Sequence, residues 1–299
     1  MKKILITGAN GLLGQALIRL LQKKYQVLST GIEDSAELKT AAGVYQILDI
    51  SDLTNCKTII NNFKPDVIVN AASYTDVDEC ENKKDLCWQI NVKAVENLAN
   101  LARRHDIQLI HYSTDYVFDG KNGPYKEEDR PHPLGYYGKS KLASENVLRQ
   151  IGCPFSILRT CVLYGTGFAV KKNFFLWVLE NLQNEKSISV VTDQFNNPTL
   201  AEDLAAGSEL VIKKAAVGLY HLGGKEYLNR FDFASTIAKI FDLNSALINP
   251  IKSAQLKQLA ARPQLGGLEI GLAKENLAYN PKSLTESLLY LRRKITHEE

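Results

Sequence analysis

The chain has 299 residues, a formal net charge of +3 at pH 7 and charges of both signs mixed along its length. No basic stripe favours a nucleic acid and no polybasic segment favours a membrane surface, so we expect no partner of either kind. The length fits one large α/β domain or a domain with a smaller lobe.

The start of the chain and its cysteines indicate a reducing compartment. Residues 1–3 lead directly into a short apolar run, which leaves no room for a secretory hydrophobic region, and no other apolar run approaches a membrane span. The five cysteines are odd in number and show no C-x-x-C spacing, which predicts neither a disulfide framework nor a zinc site. We therefore predict a cytoplasmic protein.

A strand, a glycine turn and a helix follow one another at the start of the chain. Residues 4–7 are apolar and β-branched, and the turn carries Gly8, Gly11 and Gly14. A dinucleotide-binding loop needs this order. Gly8 would allow a sharp exit from the strand, Gly11 a close approach of backbone N–H groups to a pyrophosphate, and Gly14 close packing of helix on sheet. A turn that only joins a strand to a helix is the alternative.

Short apolar runs alternate with helical patterns through the first half of the chain. This alternation predicts an α/β fold with a doubly wound parallel sheet (a Rossmann fold), helices on both faces and right-handed crossovers. The later predicted strands are 26–30, 66–71, 108–113 and 155–159, and the predicted helices are 11–24, 53–63, 83–105 and 137–151.

The pattern changes after Tyr164, where glycines and a basic, aromatic stretch at 171–177 precede shorter elements. We predict a dinucleotide-binding domain over 1–168 and a smaller C-terminal α/β substrate-binding lobe over 169–299, with residues of about 200–226 returning to the first domain. The predicted elements of this second part are helices at 201–214, 231–241 and 283–295 and a strand at 218–222.

Tyr137 and Lys141 are one helical turn apart, so both side chains lie on one face of their predicted helix. A phenol has an unperturbed pKa of about 10, and a neighbouring ammonium lowers that pKa, which would make Tyr137 a usable acid or base. Lys141 could also donate to a nicotinamide ribose. Thr114 follows a predicted strand at the edge where doubly wound folds bind ligands. The alternatives are an exposed Tyr–Lys pair and a hydroxyl that caps a strand.

Together, G-x-x-G-x-x-G at 8–14, Thr114 and Y-x-x-x-K at 137–141 resemble the extended short-chain dehydrogenase/reductase family. Within that family, the segments 70–78, 112–120, 137–141 and 193–199 are similar to dTDP-4-dehydrorhamnose reductases, over the whole chain. The resemblance implies reduction of the 4-keto group of a nucleotide-activated 6-deoxy sugar, with NADPH or NADH, to dTDP-L-rhamnose for cell-surface polysaccharide.

The resemblance also assigns roles to individual residues. It implies that Thr114, Tyr137 and Lys141 are catalytic and that Asp49 and Ile50 contact adenine, while the alanines at 71 and 72 line the cofactor. It further implies that the late motif at Arg262 pairs with diphosphate, although a solvated arginine is the alternative. The cofactor contacts are expected at Gly8, Asn10, Gly11, Leu12, Leu13, Gly14, Thr30, Asp49, Ile50, Ala71, Ala72, Tyr137 and Lys141. The substrate contacts are expected at Thr114, Asp115, Tyr116, Asn173, Gln194 and Arg262.

Two positions depart from the family pattern. Val162 stands where many of these reductases have a tryptophan that packs against the sugar, and Gln264 follows Arg262-Pro263 where a serine is usual. These departures leave hydride chemistry in place and leave the sugar open. Family members that share a metal between subunits have an acidic residue in the first helix. No such residue is apparent around Gln15, so we predict no required metal.

The end of the second predicted strand bears on cofactor choice. A carboxylate there would accept the 2′-hydroxyl of NAD, and an arginine would favour the 2′-phosphate of NADP. Residues 28–31 supply neither, and Ser29 and Thr30 offer hydroxyls, which favours NADPH with NADH also allowed. Glu33 or Asp34 would overturn this preference by folding back.

Other functions remain open at this point. A sugar-nucleotide epimerase or dehydratase would use the same loop and the same Tyr–Lys pair but would retain its NAD. A regulatory subunit like that of methionine adenosyltransferase would keep the fold and bind a dinucleotide without catalysis. We expect a nucleotide-sugar substrate, and a homodimer stays open because periodicity alone does not separate an exposed apolar face from the core.

Overall fold

The computed structural model describes residues 1–35 and 44–298, with side chains described as far as 296. The predicted domain ranges 1–168 and 169–299 include residues 36–43 and 299, which lie outside the described residues. The described strands are, in chain order, β1 (Lys3–Thr7), β2 (Gln26–Gly31), β3 (Val44–Ile47), β4 (Val67–Asn70), β5 (Gln108–Thr114), β6 (Phe155–Thr160), β7 (Leu163–Tyr164), β8 (Ile188–Val191), β9 (Phe195–Asn196), β10 (Thr199–Leu200), β11 (Gly218–His221), β12 (Leu228–Asn229) and β13 (Ile248–Ile251).

Most of the predicted helices are present. The described α-helices are α1 (Leu12–Leu21), α2 (Leu53–Phe63), α3 (Glu79–Asn82), α4 (Lys84–Trp88), α5 (Ala94–His105), α6 (Tyr136–Ile151), α7 (Phe174–Gln183), α8 (Ala201–Lys214), α9 (Arg230–Ile240), α10 (Gly271–Leu277) and α11 (Leu284–Glu298). The chain is helical from Lys84 to His105, in agreement with the helix predicted over 83–105, but a π-helical turn at Gln89–Lys93 lies between α4 and α5.

The central sheet is parallel and, within the described residues, contains seven strands in the order β11-β6-β5-β4-β1-β2-β3. One apolar cluster packs α1 and α8 on one face, and a second packs α2, α5 and α6 on the other. This arrangement confirms the doubly wound parallel sheet. The edge strand β3 corresponds to the strand-like run that precedes Asp49 in the sequence.

The second lobe has its own apolar core, built from α7, α9 and the start of α11. Short strand pairs accompany it: β8 with β13, β9 with β12, and β7 with β10. The chain returns to the first domain in α8, which packs on α1, and in β11, which pairs with β6. These contacts support the proposed return of residues 200–226 to the first domain. Helix α10 also packs against the apolar core of the first domain.

Candidate active site

The turn between β1 and α1 is shaped to receive a dinucleotide phosphate. Gly8 has φ +67°, and a Cβ there would lie 2.7 Å from Ala72 N and 2.8 Å from the carbonyl of Ala71. A side chain is therefore excluded at Gly8 by its conformation and by the neighbouring backbone. Helix α1 begins after Gly11, and neither a side-chain cap nor an acidic residue occupies its first turn. Its first N–H groups thus suit an anion, which fits the predicted dinucleotide loop.

The other residues of the predicted loop, Leu12, Leu13 and Gly14, pack closely within the protein. Leu13 is buried in the core, and Leu12 packs against it, so polar contacts with a ligand at these positions are left to the backbone N–H groups. Gly14 lies in the first turn of α1, where a Cβ would collide with the loop carbonyls of Gly8 and Ala9. Its close packing is thus against the loop, where the sequence predicted packing against the sheet.

The prediction that Ser29 and Thr30 offer hydroxyls to a phosphate is wrong for both side chains. The Thr30 hydroxyl is buried and donates to Ile6 O at 3.0 Å, and the Ser29 hydroxyl donates to Val44 O at 3.2 Å. Both hydroxyls are used inside the sheet because β1 and β3 flank β2.

A carboxylate stands at this strand end after all. A Cβ on Gly31 would lie 2.8 Å from Glu33 Oε2, and the same oxygen accepts a hydrogen bond from Asn10 Nδ2 at 3.0 Å. Glu33 therefore folds back between the end of β2 and the glycine loop. This is the position from which a carboxylate accepts a ribose 2′-hydroxyl and disfavours a 2′-phosphate.

The predicted adenine contacts lie beside this loop but differ in exposure. The Asp49 carboxylate is exposed and accepts from Ser51 N and Oγ, both at 2.8 Å. The Ile50 side chain is buried in the core against α2, so only its backbone faces outward. Ala71 and Ala72 are half-buried, and their backbone lies against Gly8.

Thr114, Tyr137 and Lys141 come together at the carboxyl end of β5. The Thr114 hydroxyl lies beside the Tyr137 phenol, donates to Asp115 Oδ1 and accepts from Tyr116 N, both at 3.2 Å. Lys141 follows one turn later on α6. Helix α6 approaches this strand end closely because residue 138 is glycine, where a Cβ would collide with Tyr116 O. Its first N–H is satisfied by Glu81, whose Oε1 accepts from Tyr136 N at 2.6 Å. The arrangement brings the predicted catalytic side chains to one place.

The electrostatics of Tyr137 differ from the sequence-based expectation. Burial, with the nearby Tyr116 and Asp115, raises the pKa of Tyr137, and the neighbouring Thr114 hydroxyl opposes that shift only in part. The Lys141 ammonium instead lies against His111, with Nζ 3.2 Å from Nε2. The predicted lowering by Lys141 is therefore wrong for this state of the site, and the phenol is held protonated at neutral pH.

Lys141 is itself buried, and burial lowers its pKa to about 8. The Glu145 carboxylate, one helical turn further along α6, opposes this shift and favours the ammonium form. Lys141 is thus largely charged at neutral pH, and the charge is lost just above it.

Asp115 and Tyr116 close the site toward the second lobe. Asp115 is buried, its Oδ2 accepts from Gly267 N at 3.3 Å, and burial raises its pKa to about 6. The Tyr116 ring meets the Tyr137 ring edge-on, with centroids 5.8 Å apart. Tyr116 therefore borders the space that Thr114 and Tyr137 face, whereas Asp115 holds the segment that follows Arg262.

Arg262 does not lie on a solvated loop. It forms a two-pronged ion pair with Asp78, at 2.9 and 2.8 Å, and donates to Ala260 O at 2.7 Å. Its hydrogen bonds hold the pKa of Asp78 below the usual range. The pair joins the late motif to the segment after β4, and the Arg262 side chain stays partly exposed toward the cleft.

Sequence reasoning missed Arg230, at the start of α9. Its guanidinium lies over the Phe174 ring at 4.9 Å and has no carboxylate ion pair among the described residues. Its electrostatic neighbours are Tyr116, Asp115 and Arg262. A half-buried cation without a matched carboxylate is suited to bind an anion. The sequence signal was weak, since it lay in an Asn-Arg pair before an ordinary helical pattern.

The remaining second-lobe residues have structural contacts. The Asn173 amide accepts from Leu176 N at 3.2 Å and donates to Gly165 O at 3.0 Å, which makes it the N-cap of α7. Gln194 is buried, and its backbone carbonyl accepts from Arg230 N at 3.2 Å, so Gln194 positions the backbone of that arginine. Val162, at the predicted tryptophan position, has φ +46°, which is strained for a β-branched residue.

Two further properties concern the described part of the chain. No helix within 1–35 and 44–298 is long and apolar enough to cross a bilayer. All five cysteines lie in the described ranges and are buried free thiols.

Known proteins resemble this chain over nearly its whole length. The family model for the RmlD substrate binding domain matches residues 1–295. A dTDP-4-dehydrorhamnose reductase of Aggregatibacter actinomycetemcomitans is 35% identical, over 98% of this chain and 99% of that protein. The methionine adenosyltransferase 2 subunit beta of Bos taurus is 32% identical, over 90% and 80%. The crystal structure of the Bacillus anthracis dTDP-4-dehydrorhamnose reductase in complex with NADP has a TM-score of 0.88 and 28% identity, over 98% and 100%.

Proposed function

We infer that this chain, which belongs to the RmlD substrate binding domain family, is a reductase. It reduces the 4-keto group of a dTDP-linked 6-deoxy sugar. The substrate we propose is dTDP-4-dehydro-L-rhamnose, and the product is dTDP-L-rhamnose for polysaccharide biosynthesis. The reductant is NADPH, as in the relative solved with NADP. Because Glu33 folds back to the end of β2 and favours the 2′-hydroxyl of NADH, NADH is also usable. The relative solved with NADP and the relatives named as reductases of this sugar support the assignment.

The observation that carries the proposal is the meeting of Thr114, Tyr137 and Lys141 beside the glycine loop. Reduction of a ketone needs a hydride on carbon and a proton on oxygen, and a half-buried, protonated phenol is suited to the second task. When bound, the reduced nicotinamide supplies the hydride. The oxygen of the reduced carbonyl is far more basic than a phenolate, so Tyr137 donates its proton even though burial raises its pKa.

The other residues of the site bind and orient. The loop from Gly8 to Gly14 and the N-terminus of α1 hold the cofactor diphosphate. Thr114, whose hydroxyl lies beside the Tyr137 phenol, orients the substrate oxygen toward it. The Lys141 ammonium binds the nicotinamide ribose from the face of α6 that it shares with Tyr137.

The diphosphate of the sugar nucleotide binds near Arg230 and Arg262. These guanidinium groups share the electrostatic surroundings of Tyr116, which is itself in ring contact with Tyr137. A diphosphate held there leaves its sugar close to the phenol. Arginine forms paired hydrogen bonds with phosphate oxygens, so both residues suit this task. When the substrate diphosphate binds, the Arg262 guanidinium either leaves Asp78 or contacts both Asp78 and the diphosphate.

The test is an assay of purified protein with dTDP-4-dehydro-L-rhamnose, made in place by a 3,5-epimerase from the 4-keto-6-deoxyglucose precursor. We expect NADPH absorbance to fall in step with the appearance of dTDP-L-rhamnose. Oxidation with another 4-keto sugar nucleotide alone would retain the reductase and change its substrate. Cofactor bound tightly through purification, without net oxidation, would favour an epimerase.

A regulatory subunit is the second candidate, because the bovine methionine adenosyltransferase β subunit is 32% identical. The assembled Thr114, Tyr137 and Lys141 favour catalysis over this role, since a purely regulatory chain has no need of a proton donor. A stable hetero-complex without oxidation of NADPH by any keto-sugar nucleotide would favour regulation. A cytoplasmic location, the absence of a nucleic-acid partner and a homodimer remain parts of the proposal, to be tested by fractionation and sedimentation.

A further inference from the structure

A row of buried polar side chains crosses the central sheet under the candidate active site. Thr7, Asn70 and His111 are register partners on β1, β4 and β5. The Thr7 hydroxyl and the Asn70 amide are joined at 2.6 Å, and the Asn70 amide lies 3.2 Å from His111 Nδ1. None of the three is more than 2% exposed. Burial of polar side chains costs free energy unless they are hydrogen-bonded, so this row requires an explanation.

The row ends at Lys141. The other ring nitrogen of His111, Nε2, lies 3.2 Å from Lys141 Nζ and 3.0 Å from Ser144 Oγ. Ser144 Oγ also lies 2.7 Å from Lys141 O, so its single proton can be donated either to that carbonyl or to His111 Nε2. The contact with His111 is the one side-chain hydrogen bond of the Lys141 ammonium among the described residues.

The imidazole is neutral. Burial and the adjacent Lys141 charge hold the pKa of His111 well below its ordinary value. A neutral ring has one N–H and one acceptor nitrogen. An ammonium has three donors and no acceptor, so a charged Lys141 requires that Nε2 be the acceptor and that Nδ1 carry the proton. The Asn70 amide is then flipped, so that its oxygen accepts from His111 Nδ1 and its nitrogen donates to Thr7. The heavy-atom distances stay the same, because the flip only exchanges the positions of the amide oxygen and nitrogen.

We propose that His111 is a positioning residue for Lys141: its Nε2 accepts one N–H of the ammonium and leaves the other two directed at the cofactor. The proposal rests on the proposed function only in that Lys141 binds the cofactor. It assigns a task to a residue outside the Thr–Tyr–Lys trio. It also explains why a polar row reaches from Thr7, beside the glycine loop, to α6.

The charge of Lys141 follows from this contact and from its other neighbours. Glu145 on α6 and Cys87 on α4 favour the ammonium, burial opposes it, and Tyr137 lies on the same helix face. Glu145 is ion-paired with Arg159, so it does not neutralise Lys141 by direct contact. Without an acceptor at His111, the buried ammonium loses its hydrogen bond, and its proton is lost at a lower pH.

The experiment compares two polar replacements. His111→Gln brings an amide oxygen to about the position of Nε2, whereas the shorter side chain of His111→Asn reaches only that of Nδ1. His105→Asn, on an exposed histidine at the end of α5, is the matched control. NADPH affinity is measured by fluorescence titration between pH 6 and 9, with no sugar present. Thermal melts verify that each variant folds.

We expect His111→Asn to weaken NADPH binding about tenfold at pH 7 and to move the high-pH loss of binding about one unit lower. The Gln variant and the control keep both properties near those of the wild type. Equal behaviour of the Gln and Asn variants would overturn the proposal, as would an unmoved pH limb in the Asn variant.

A measurement on the wild type keeps the proposal testable if a variant does not fold. The ¹⁵N shifts of the His111 ring should report a neutral ring with the proton on Nδ1 at pH 7, and an Nε2–H tautomer there would overturn the assignment. The titration contains no sugar, so its result separates from that of the proposed reductase. If the His111 variants bind NADPH as predicted but the protein reduces no dTDP sugar, the proposed function is refuted and the positioning role of His111 stands. A wild type that binds no dinucleotide would refute both.

Discussion

The Tyr137 ring meets the Tyr116 ring edge-on, with centroids 5.8 Å apart, and so joins the first turn of α6 to the segment that follows β5. The contact depends on Gly138, because a side chain there would collide with Tyr116 O. It holds the phenol beside the Thr114 hydroxyl before any substrate arrives. Tyr137 is thus positioned in advance as a proton donor.

Tyr137→Phe should lower kcat by about 10²- to 10⁴-fold, since a positioned proton transfer contributes that much. NADPH affinity should change little, because the phenol serves the substrate oxygen. Tyr136→Phe is the matched control, on the adjacent residue of α6, whose ring packs against Trp88. Steady-state kinetics and a fluorescence titration measure both. Full activity in the Tyr137→Phe variant would remove Tyr137 from the mechanism.

The rate should depend on the charge of Lys141. Burial lowers the pKa of Lys141 to about 8, so the ammonium is present below pH 8 and is lost as the pH rises through that value. The wild-type kcat/KM for NADPH should therefore fall above about pH 8. Lys141→Met should reduce rate and cofactor affinity together, whereas Lys139→Met, exposed on the same helix, should change neither. A wild-type profile flat to pH 9.5 would contradict this role.

Glu33 should set the balance between the two nicotinamide cofactors. Its carboxylate folds back over Gly31 and accepts from Asn10 Nδ2 at 3.0 Å, where it opposes a 2′-phosphate. Glu33→Gln should raise the ratio of kcat/KM for NADPH to that for NADH by about tenfold, because a like-charge contact is removed. Asp34→Asn is the exposed neighbouring control. An unchanged ratio would place the 2′-phosphate elsewhere.

Arg230 and Arg262 should hold the substrate diphosphate. Arg230→Met should raise KM for the sugar nucleotide by about tenfold or more, since a charge-assisted hydrogen bond contributes about 1.5–3 kcal/mol. Binding of dTDP alone, measured by calorimetry, should weaken equally and should depend on salt. Arg104→Met, on the exposed face of α5, is the control. A KM that stays constant in the Arg230 variant would refute the anion site.

A buried ion pair should support the fold behind the site. Arg159 and Glu145 are 1% exposed or less and are joined at 2.8 and 2.7 Å. Arg159→Met should destabilise the protein by about 3–5 kcal/mol, because it leaves the carboxylate buried without its main partner. The double variant with Glu145→Leu should recover much of that loss. Urea unfolding measures both, and equal stability of the single and double variants would contradict the coupling.

The same pair has a pH signature. Although burial opposes it, Arg159 holds the pKa of Glu145 below its ordinary value. A carboxyl whose folded pKa is depressed stabilises the fold above its unfolded pKa, and that contribution disappears as the pH falls through the folded value. The acid limb of wild-type stability should therefore lie below about pH 4.3, the usual pKa of a glutamate, and should be weaker in the double variant.

Much of the first domain follows from local pattern. The bounds of α2 and α8 match the predicted 53–63 and 201–214, because an apolar face, a capping Asp52 and terminal left-handed residues mark them locally. The helix predicted over 83–105 is present, but the π-helical turn within it was not predictable, because that turn accompanies the burial of Asn91. Its amide meets Ser73 Oγ and Tyr74 N, both at 2.8 Å, which are tertiary contacts that periodicity does not carry.

The site was predictable where a motif carries its own geometry. The glycine loop and the spacing of Tyr137 and Lys141 are of this kind. Arg230 and His111 were not found, since each acquires its surroundings only when distant elements pack: α7 supplies Phe174, and α6 supplies Lys141. Glu33 depended on a fold-back that strand patterns do not specify.

The most direct test of the central claim is transfer of isotope from cofactor to sugar. Wild-type protein is given dTDP-4-dehydro-L-rhamnose and NADPH deuterated at nicotinamide C4, as each of the two stereoisomers, and the product is examined by NMR. The account predicts deuterium at C4 of dTDP-L-rhamnose from one stereoisomer only, with the step slowed at least about 100-fold in Tyr137→Phe. Product without deuterium from either stereoisomer, or a Tyr137→Phe variant that transfers it at the wild-type rate, would contradict the account.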